Sequence, residues 1–315
     1  MKILVTGGVG FIGTNLIKKL IKEGHDVHSL DNYETGLKSN EQIGCAYHRN
    51  DITNINTMDK DFDLIYHLAA LARIQESFNN PQETFRVNTV GTQRVCEFAR
   101  LTGAKLVYAG SSSRWCDPHT SPYATSKFLG EETIKMYRRT YGLNIEIARF
   151  YNVYGEHEIV DGTWAAVIGI WRDQVKNNKP ITIVGDGKQR RDFTYVGDIV
   201  EGLFRIGMKD QKHKDAWELG TGINYSINDV YLMFKEKFSC EFITIPDQPG
   251  NYKTTLREND DSLDMLGWNF YMMPELAARG LLLMNQFYGN DGNKKHNDDL
   301  TLPYPDLSKF EIYNK

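Results

Sequence analysis

The chain has little of what would place it outside the cell, in a membrane or on a nucleic acid. Its 315 residues include four cysteines, Cys45, Cys96, Cys116 and Cys240, too few and too widely spaced for a disulfide framework or a zinc cluster. A reducing compartment fits such sparse thiols. With 37 Lys and Arg against 41 Asp and Glu, the formal charge of -4 leaves no basic excess to attract a phosphate backbone, so no nucleic-acid partner is expected. No run approaches the ~18 apolar residues of a spanning helix. Met1 leads straight into Lys2-Ile3-Leu4-Val5-Thr6 with no apolar leader segment. A cytoplasmic protein with no membrane partner is expected. Internal repeats are lacking too, and the one biased stretch is polar, from Tyr288 to about Asp299.

What is present is an apolar content of 41%, enough for a substantial core. Short β-rich runs alternate with helical patterns through the first half. Ile3 to Val5, Asp26 to Leu30, Leu64 to Leu68, Lys105 to Ala109 and Asn144 to Ala148 read as strands. They lack strict polar alternation, as parallel strands covered on both faces do. Thr14 to Glu23, Pro81 to Thr102 and Ser121 to Tyr141 have helical spacing and the length of crossover connections. Further on, Phe193 to Met208 reads as a helix with its approach, and Ala216 to Leu219 as a strand. The fold class is therefore α/β, a doubly wound parallel sheet with a smaller mixed α/β C-terminal lobe that faces substrate. Residues 1–151 and 192–225 are assigned to the sheet domain, 152–191 and 226–288 to the lobe, and 289–315 to a polar tail and terminal arm.

Directly after the first strand comes Thr6-Gly7-Gly8-Val9-Gly10-Phe11-Ile12-Gly13, which opens a helix. Glycines at 7, 10 and 13 permit positive backbone angles and close approach to a pyrophosphate, while Phe11 and Ile12 begin a helix whose free N–H groups face the anion. Asp31, with Asn32, follows at the end of the second strand, where a carboxylate accepts from the adenosine ribose. That carboxylate would repel a 2′-phosphate, and no arginine stands within the next several residues, so NAD is expected over NADP. Asp51-Ile52 is a candidate adenine contact, with an ordinary surface turn as the alternative.

In Ser121-Pro122-Tyr123-Ala124-Thr125-Ser126-Lys127 a tyrosine and a lysine share a helix face. An ammonium beside a phenol favours the phenolate and suits it to proton transfer. At this point the chain resembles the extended short-chain dehydrogenase/reductases that act on nucleotide sugars, the epimerases and dehydratases. The resemblance rests on the glycine turn, Asp31-Asn32, Asp51-Ile52, His67-Leu68-Ala69-Ala70, Asn88 with Gly91-Thr92, Ser111-Ser112-Ser113, and Tyr123 with Lys127. It continues through Arg149 to Gly155, Gly185-Asp186-Gly187, Gln189 to Val196 and Leu266-Gly267-Trp268. It implies Tyr123 as acid/base, Lys127 at the nicotinamide ribose, and Ser111 bridging tyrosine and substrate. It also implies cofactor contacts from Leu68, Ala69, Ala70, Asn88, Tyr123, Lys127 and Tyr151, substrate contacts from Ser111, Ser112, Asn152 and Arg191, and a homodimer built on the helices around Pro81–Thr102 and Tyr123–Tyr141.

Related dehydratases carry an Asp-Glu pair after the bridging hydroxyl, and related decarboxylases a glutamate at the position of Ser113. Here both positions are serine, which cannot serve as that acid and base. The resemblance therefore favours epimerisation at C4 of a UDP-hexose, UDP-N-acetylhexosamine or UDP-hexuronate through a transient 4-keto sugar. A dehydratase, reductase or decarboxylase, or an idle NAD-binding regulatory protein, are the alternatives. Two departures stand out. The loop between Trp115 and Ser121 is shorter than in relatives, which implies a reduced lid with Cys116 and His119 near the site, His119 being a possible substitute proton carrier. At Gln248-Pro249-Gly250-Asn251 an arginine of the relatives is lost, with Lys253 or Arg257 the candidates to replace it.

Overall fold

The computed structural model of the chain describes residues 1–270. The last part of the expected lobe, 271–288, and the expected polar tail, 289–315, lie outside the described residues. In chain order the elements begin β1 (Lys2–Thr6), α1 (Phe11–Lys22), β2 (Asp26–Asp31), β3 (Cys45–Arg49), β4 (Leu64–His67), α2 (Ile74–Asn79), α3 (Pro81–Phe85) and α4 (Thr92–Thr102). They continue with β5 (Lys105–Ser111), α5 (Pro122–Tyr141), β6 (Ile145–Phe150), β7 (Val153–Tyr154), α6 (Val167–Lys176), β8 (Ile181–Val184), β9 (Arg190–Asp192) and β10 (Thr194–Tyr195). The series ends with α7 (Val196–Met208), β11 (Trp217–Leu219), β12 (Asn224–Ser226), α8 (Ile227–Phe238), β13 (Phe242–Ile245) and α9 (Asp261–Leu266).

Seven strands form one sheet in the order β11-β6-β5-β4-β1-β2-β3. Every neighbouring pair in it is parallel. This is the doubly wound Rossmann arrangement, with the strand order reversing beside β1. One face packs against α4 and α5 through Leu4, Ile65, Leu106, Ile147, Phe98 and Ile134. The other packs against α1 and α7 through Val5, Tyr66, Leu16, Leu20, Ile199 and Leu203. Each buried side chain of that size contributes roughly 1.5–3 kcal/mol, so the two apolar layers hold the strand ends in place. A third cluster, with Trp171, Ile183, Val230 and Phe234 at its centre, joins α6, α8 and the parallel pair β8 and β13.

The expected crossover helix at 81–102 is interrupted. Residues Arg86–Gly91 form a π-helical turn between α3 and α4. Beside it, Gly91 lies so close to Ile52 that a Cβ there would come within 2.8 Å of that side chain. β3 was not among the strands expected from composition, because at the sheet edge it is only partly buried and its sequence, Cys-Ala-Tyr-His-Arg, carries few large apolar residues.

Candidate active site

The C-terminal ends of the central strands open onto one cleft of about 780 Å³ at the reversal of strand order. Gly7, Gly10, Phe11, Ile12 and Gly13 line one side. The glycines act there for different reasons. Gly7 has φ +74°, and a Cβ on it would meet the Ala69 nitrogen at 2.8 Å; a Cβ on Gly13 would meet the Gly7 carbonyl oxygen at 2.1 Å. Gly10 caps α1 without a side chain, so no side-chain oxygen competes for the N–H groups of the first turn.

Asp31 and Asn32 line the far end of the cleft. The Asp31 carboxylate accepts from Val9 N at 3.1 Å and Tyr33 N at 2.8 Å. Burial pushes its pKa above the usual carboxylate range, and those two N–H groups oppose the shift. Arg49 pairs with Asp31 in the strand register but is exposed and stacks on the Tyr33 ring at 5.5 Å. Leu68, Ala69 and Ala70 form the wall after β4, and Asp51 and Ile52 border the cleft. The Asp51 carboxylate is partly occupied, accepting from Arg86 at 2.9 and 2.8 Å and from Thr53. That guanidinium holds the carboxyl well below its usual range, and Oδ2, which accepts only from Arg86 among the described residues, keeps a free acceptor position at the cleft edge.

Two expected cofactor residues are not brought to the cleft. Asn88 is buried and clamps the loop after β4, its Oδ1 accepting from Leu71 N at 2.8 Å and its Nδ2 donating to the Leu71 carbonyl and to Ser126. Tyr151 is buried with its hydroxyl donating to Glu218 at 2.8 Å. Both satisfy buried polar groups of the scaffold. His67 does the same, bridging Thr6 at 2.9 Å and Thr92 at 3.0 Å, with burial pushing its pKa down to about 3.

The reactive groups meet at the ends of β5 and α5. Ser111, Ser112, Tyr123 and Lys127 all line the cleft. The Ser121 side chain accepts from Ala124 N and Pro122 occupies the first turn, which starts α5 at the point that brings Tyr123 over β5. The Tyr123 hydroxyl lies 3.4 Å from Ser111 Oγ, which also accepts from Ser113 Oγ at 2.9 Å. Lys127 Nζ donates to the Ala109 carbonyl at 2.7 Å and sits 4.5 Å from the Tyr108 ring centre. Burial lowers the Lys127 pKa to about 8, opposed by Glu131. Burial raises the Tyr123 phenol, opposed by the Ser111 hydroxyl and the Arg73 guanidinium. Lys127 and Tyr123 thus line one cleft from neighbouring turns of α5, with the ammonium held by the Ala109 carbonyl.

Arg73, Glu158 and Tyr252 line the same cleft and were not singled out from sequence. Arg73 Nε donates to the Trp164 carbonyl at 2.8 Å, and burial lowers the guanidinium to about 10. Glu158 is raised by burial to about 7, opposed by Arg172 and by the N–H groups of Gly155 and Gly169. The Tyr252 hydroxyl is buried beside Thr120 and Ser113, and burial pushes its phenol above the ordinary range. None of the three lies in a recognisable spacing, since each reaches the cleft only through tertiary packing.

Asn152 and Arg191 line the substrate side. Asn152 Nδ2 is occupied by the Asp192 carbonyl at 3.0 Å and Thr255 Oγ1 at 2.8 Å, which leaves its oxygen for a ligand. Arg191 makes no ion pair with Asp192, whose carboxylate turns inward to Thr221, Gly222 and the Arg257 N–H. Arg257 is no substitute for the missing arginine, being buried and bound to Asn259, Asp260 and Thr221. Lys253 is exposed, and Gln248 and Asn251 border the cleft instead. The short lid folds as two 3₁₀ turns, Ser112–Trp115 and Pro118–Thr120, with His119 exposed to solvent and therefore not poised as a proton carrier.

A Gly-rich strand-to-helix turn, a carboxylate at the end of the second strand and a Ser–Tyr–Lys cluster in one cleft define a dinucleotide-dependent enzyme of the short-chain dehydrogenase type. The chain belongs to the NAD dependent epimerase/dehydratase family, whose model matches residues 3–220. It is 35% identical over 266 residues to a putative UDP-glucose 4-epimerase of Methanocaldococcus jannaschii, covering 78% of this chain and 86% of that protein. It is 28% identical to the UDP-glucose 4-epimerase of Mycolicibacterium smegmatis, over 92% of this chain and 99% of that one. Among solved structures, the Thermus thermophilus UDP-glucose 4-epimerase in complex with NAD superposes with a TM-score of 0.82 at 26% identity, covering 92% of this chain and 100% of that chain. The cofactor is NAD, and the glycine turn fits it, since Gly7 and Gly13 let the turn pack on its own backbone and on the loop after β4 while Gly10 starts α1 with no side chain over its N–H groups.

Proposed function

We propose that the protein interconverts nucleotide-linked sugars that differ in configuration at C4. The observation that carries this reading is the Tyr123–Ser111 pair at 3.4 Å with Ser112 and Ser113 beside it, a site that holds one acid/base and no carboxylate at the two positions after Ser111. Tyr123 takes the proton of the C4 hydroxyl and returns it, while Ser111 holds that oxygen within reach. Bound NAD supplies a hydride acceptor that becomes the donor on return. Lys127 orients the nicotinamide ribose, the first turn of α1 takes the pyrophosphate, and Asp31 takes the adenosine ribose. Ser112, the Asn152 oxygen and Arg191 bind substrate, Arg191 because its planar fork suits a diphosphate. Incubation with UDP-glucose, UDP-N-acetylglucosamine and UDP-glucuronate, read by proton NMR, should yield the C4 epimer of at least one. A dehydrated or decarboxylated product would replace this reading by one of its relatives.

Titration calorimetry is expected to give tighter binding of NAD than of NADP, because Asp31 would face the 2′-phosphate and Arg49 is turned to Tyr33. Equal affinities would remove Asp31 from this role. The chain is further proposed to work as a homodimer in the cytoplasm. Val90, Leu101, Leu129, Met136 and Tyr141, on the π-turn, α4 and α5, are each 40–52% exposed, an apolar surface larger than one core-facing stripe needs. All four thiols are unpaired, which supports a reducing setting. Light scattering should give a dimer mass that Leu129→Glu with Met136→Glu reduces to a monomer; a monomeric parent protein at micromolar concentration would contradict the dimer.

A further inference from the structure

Arg73 has no part in the reaction just described, yet it lines the cleft and acts electrostatically on Tyr123. It is fixed from two directions. Its backbone leads into α2, whose Ser77 hydroxyl accepts the Tyr123 N–H at 3.1 Å, and its Nε donates to the Trp164 carbonyl at 2.8 Å. Those contacts use Nε, and neither terminal nitrogen has a hydrogen-bond partner among the described residues. Glu158 is the carboxylate that acts on Arg73, but it is shared with Arg172 at 3.6 Å. Burial raises the Glu158 pKa to about 7, so near neutral pH it offsets the Arg73 charge only in part.

A partly desolvated guanidinium with its fork unused is matched by a planar anion, and a sugar hydroxyl would leave the charge without a counterpart. Tyr123 must reach the C4 hydroxyl, so the substituent on the adjacent C5 falls among the groups that flank Tyr123. We propose that Arg73 recognises a carboxylate on C5, which makes the substrate a nucleotide-linked hexuronate. This rests on the epimerase reading above. In hexuronate binding the carboxylate accepts from the terminal nitrogens of Arg73 while Ser111 and Tyr123 hold the C4 oxygen. Specificity against neutral sugars then comes from leaving a buried charge unpaired.

The test compares kcat/KM of the parent protein, Arg73→Gln and Arg73→Lys, loaded with NAD, on UDP-glucuronate, UDP-glucose and UDP-N-acetylglucosamine. The parent is expected to favour UDP-glucuronate at least ~10-fold. Arg73→Gln, which can still bond to the Trp164 carbonyl, should lose about 30-fold or more on the hexuronate, the cost of removing one partner of a desolvated charge pair. On the neutral sugars it should change little. Arg73→Lys, which keeps the charge, should recover part of the loss. A parent protein that favours a neutral sugar would overturn the proposal. So would an equal fall of Arg73→Gln on every substrate with a shifted pH profile, since Arg73 would then act on Tyr123 rather than on the sugar. Turnover of neutral sugars alone would sink only the Arg73 assignment, whereas no turnover of any of the three would remove the epimerase reading with it.

Discussion

Tyr123→Phe is expected to lower turnover by at least ~10²-fold while NAD affinity hardly changes. The substitution keeps the ring, which packs in α5, and deletes the hydroxyl that lies 3.4 Å from Ser111. Nothing in the dinucleotide cradle depends on that oxygen, because the turn at Gly7 to Gly13 and Asp31 are built from other elements. Two companion variants separate the roles. Ser111→Ala should slow turnover by the loss of one hydrogen bond worth roughly 1–3 kcal/mol, and Lys127→Ala should weaken both NAD binding and turnover. The measurement is single-turnover epimerisation set beside calorimetric NAD binding for the three proteins. A Tyr123→Phe protein at the parent rate would show that another group moves the proton.

The second large effect is on stability. Arg149→Ala is expected to cost about 3–5 kcal/mol, because it leaves the buried Glu218 without its cation, whereas Glu131 keeps Lys135 and Arg114 and Asp215 keeps Lys135. Arg149 is 1% exposed at the end of β6. It donates to Glu218 Oε1 at 2.7 Å, to Glu131 through two of its nitrogens, and pairs with Asp215 at 2.9 Å. Its pKa lies above the ordinary arginine range, because Glu131 and Glu218 outweigh burial. Glu131 belongs to α5 and Glu218 to β11, so this one side chain ties the helix that carries Tyr123 and Lys127 to two strands of the sheet. Urea unfolding of Arg149→Ala should show the midpoint lowered accordingly. A change below about 1 kcal/mol, the range of an exposed ion pair, would mean the network is not what anchors α5.

The elements that could be read from sequence were those whose cause is local. The glycine turn, the capped start of α5 at Ser121 and the apolar runs of β1, β4, β5 and β6 each declare themselves within a few residues. The pairing of Tyr123 with Lys127 on one helix face followed from spacing alone, and Ser111 at the end of β5 from its position after an apolar run. What escaped depends on distant partners. Arg73 and Trp164 meet across 91 positions of chain, and Asn152 meets Thr255 across 103. Asn88 and Tyr151 were expected at the cofactor, yet both belong to the scaffold, one bonded to Leu71 and the other to Glu218. An asparagine that clamps a loop and one that meets a ligand look the same in sequence. The partner of the Lys127 ammonium was likewise out of reach of spacing: a helix face brings Lys127 to the side of Tyr123, but only the fold reveals that its Nζ donates to the Ala109 carbonyl.

Transient oxidation at C4, with the same hydride returned to the other face and no group lost from the sugar, makes a combined demand that neither elimination nor decarboxylation meets. The direct measurement uses a nucleotide sugar carrying deuterium at C4, incubated with the NAD-loaded protein and examined by NMR and mass spectrometry. The expected result is a C4 epimer that keeps its deuterium at C4, with no net accumulation of reduced NAD. Loss of the label to solvent, release of water or carbon dioxide from the sugar, or stoichiometric build-up of reduced NAD would contradict the assignment of Tyr123, Ser111 and Lys127 to a reversible C4 epimerisation.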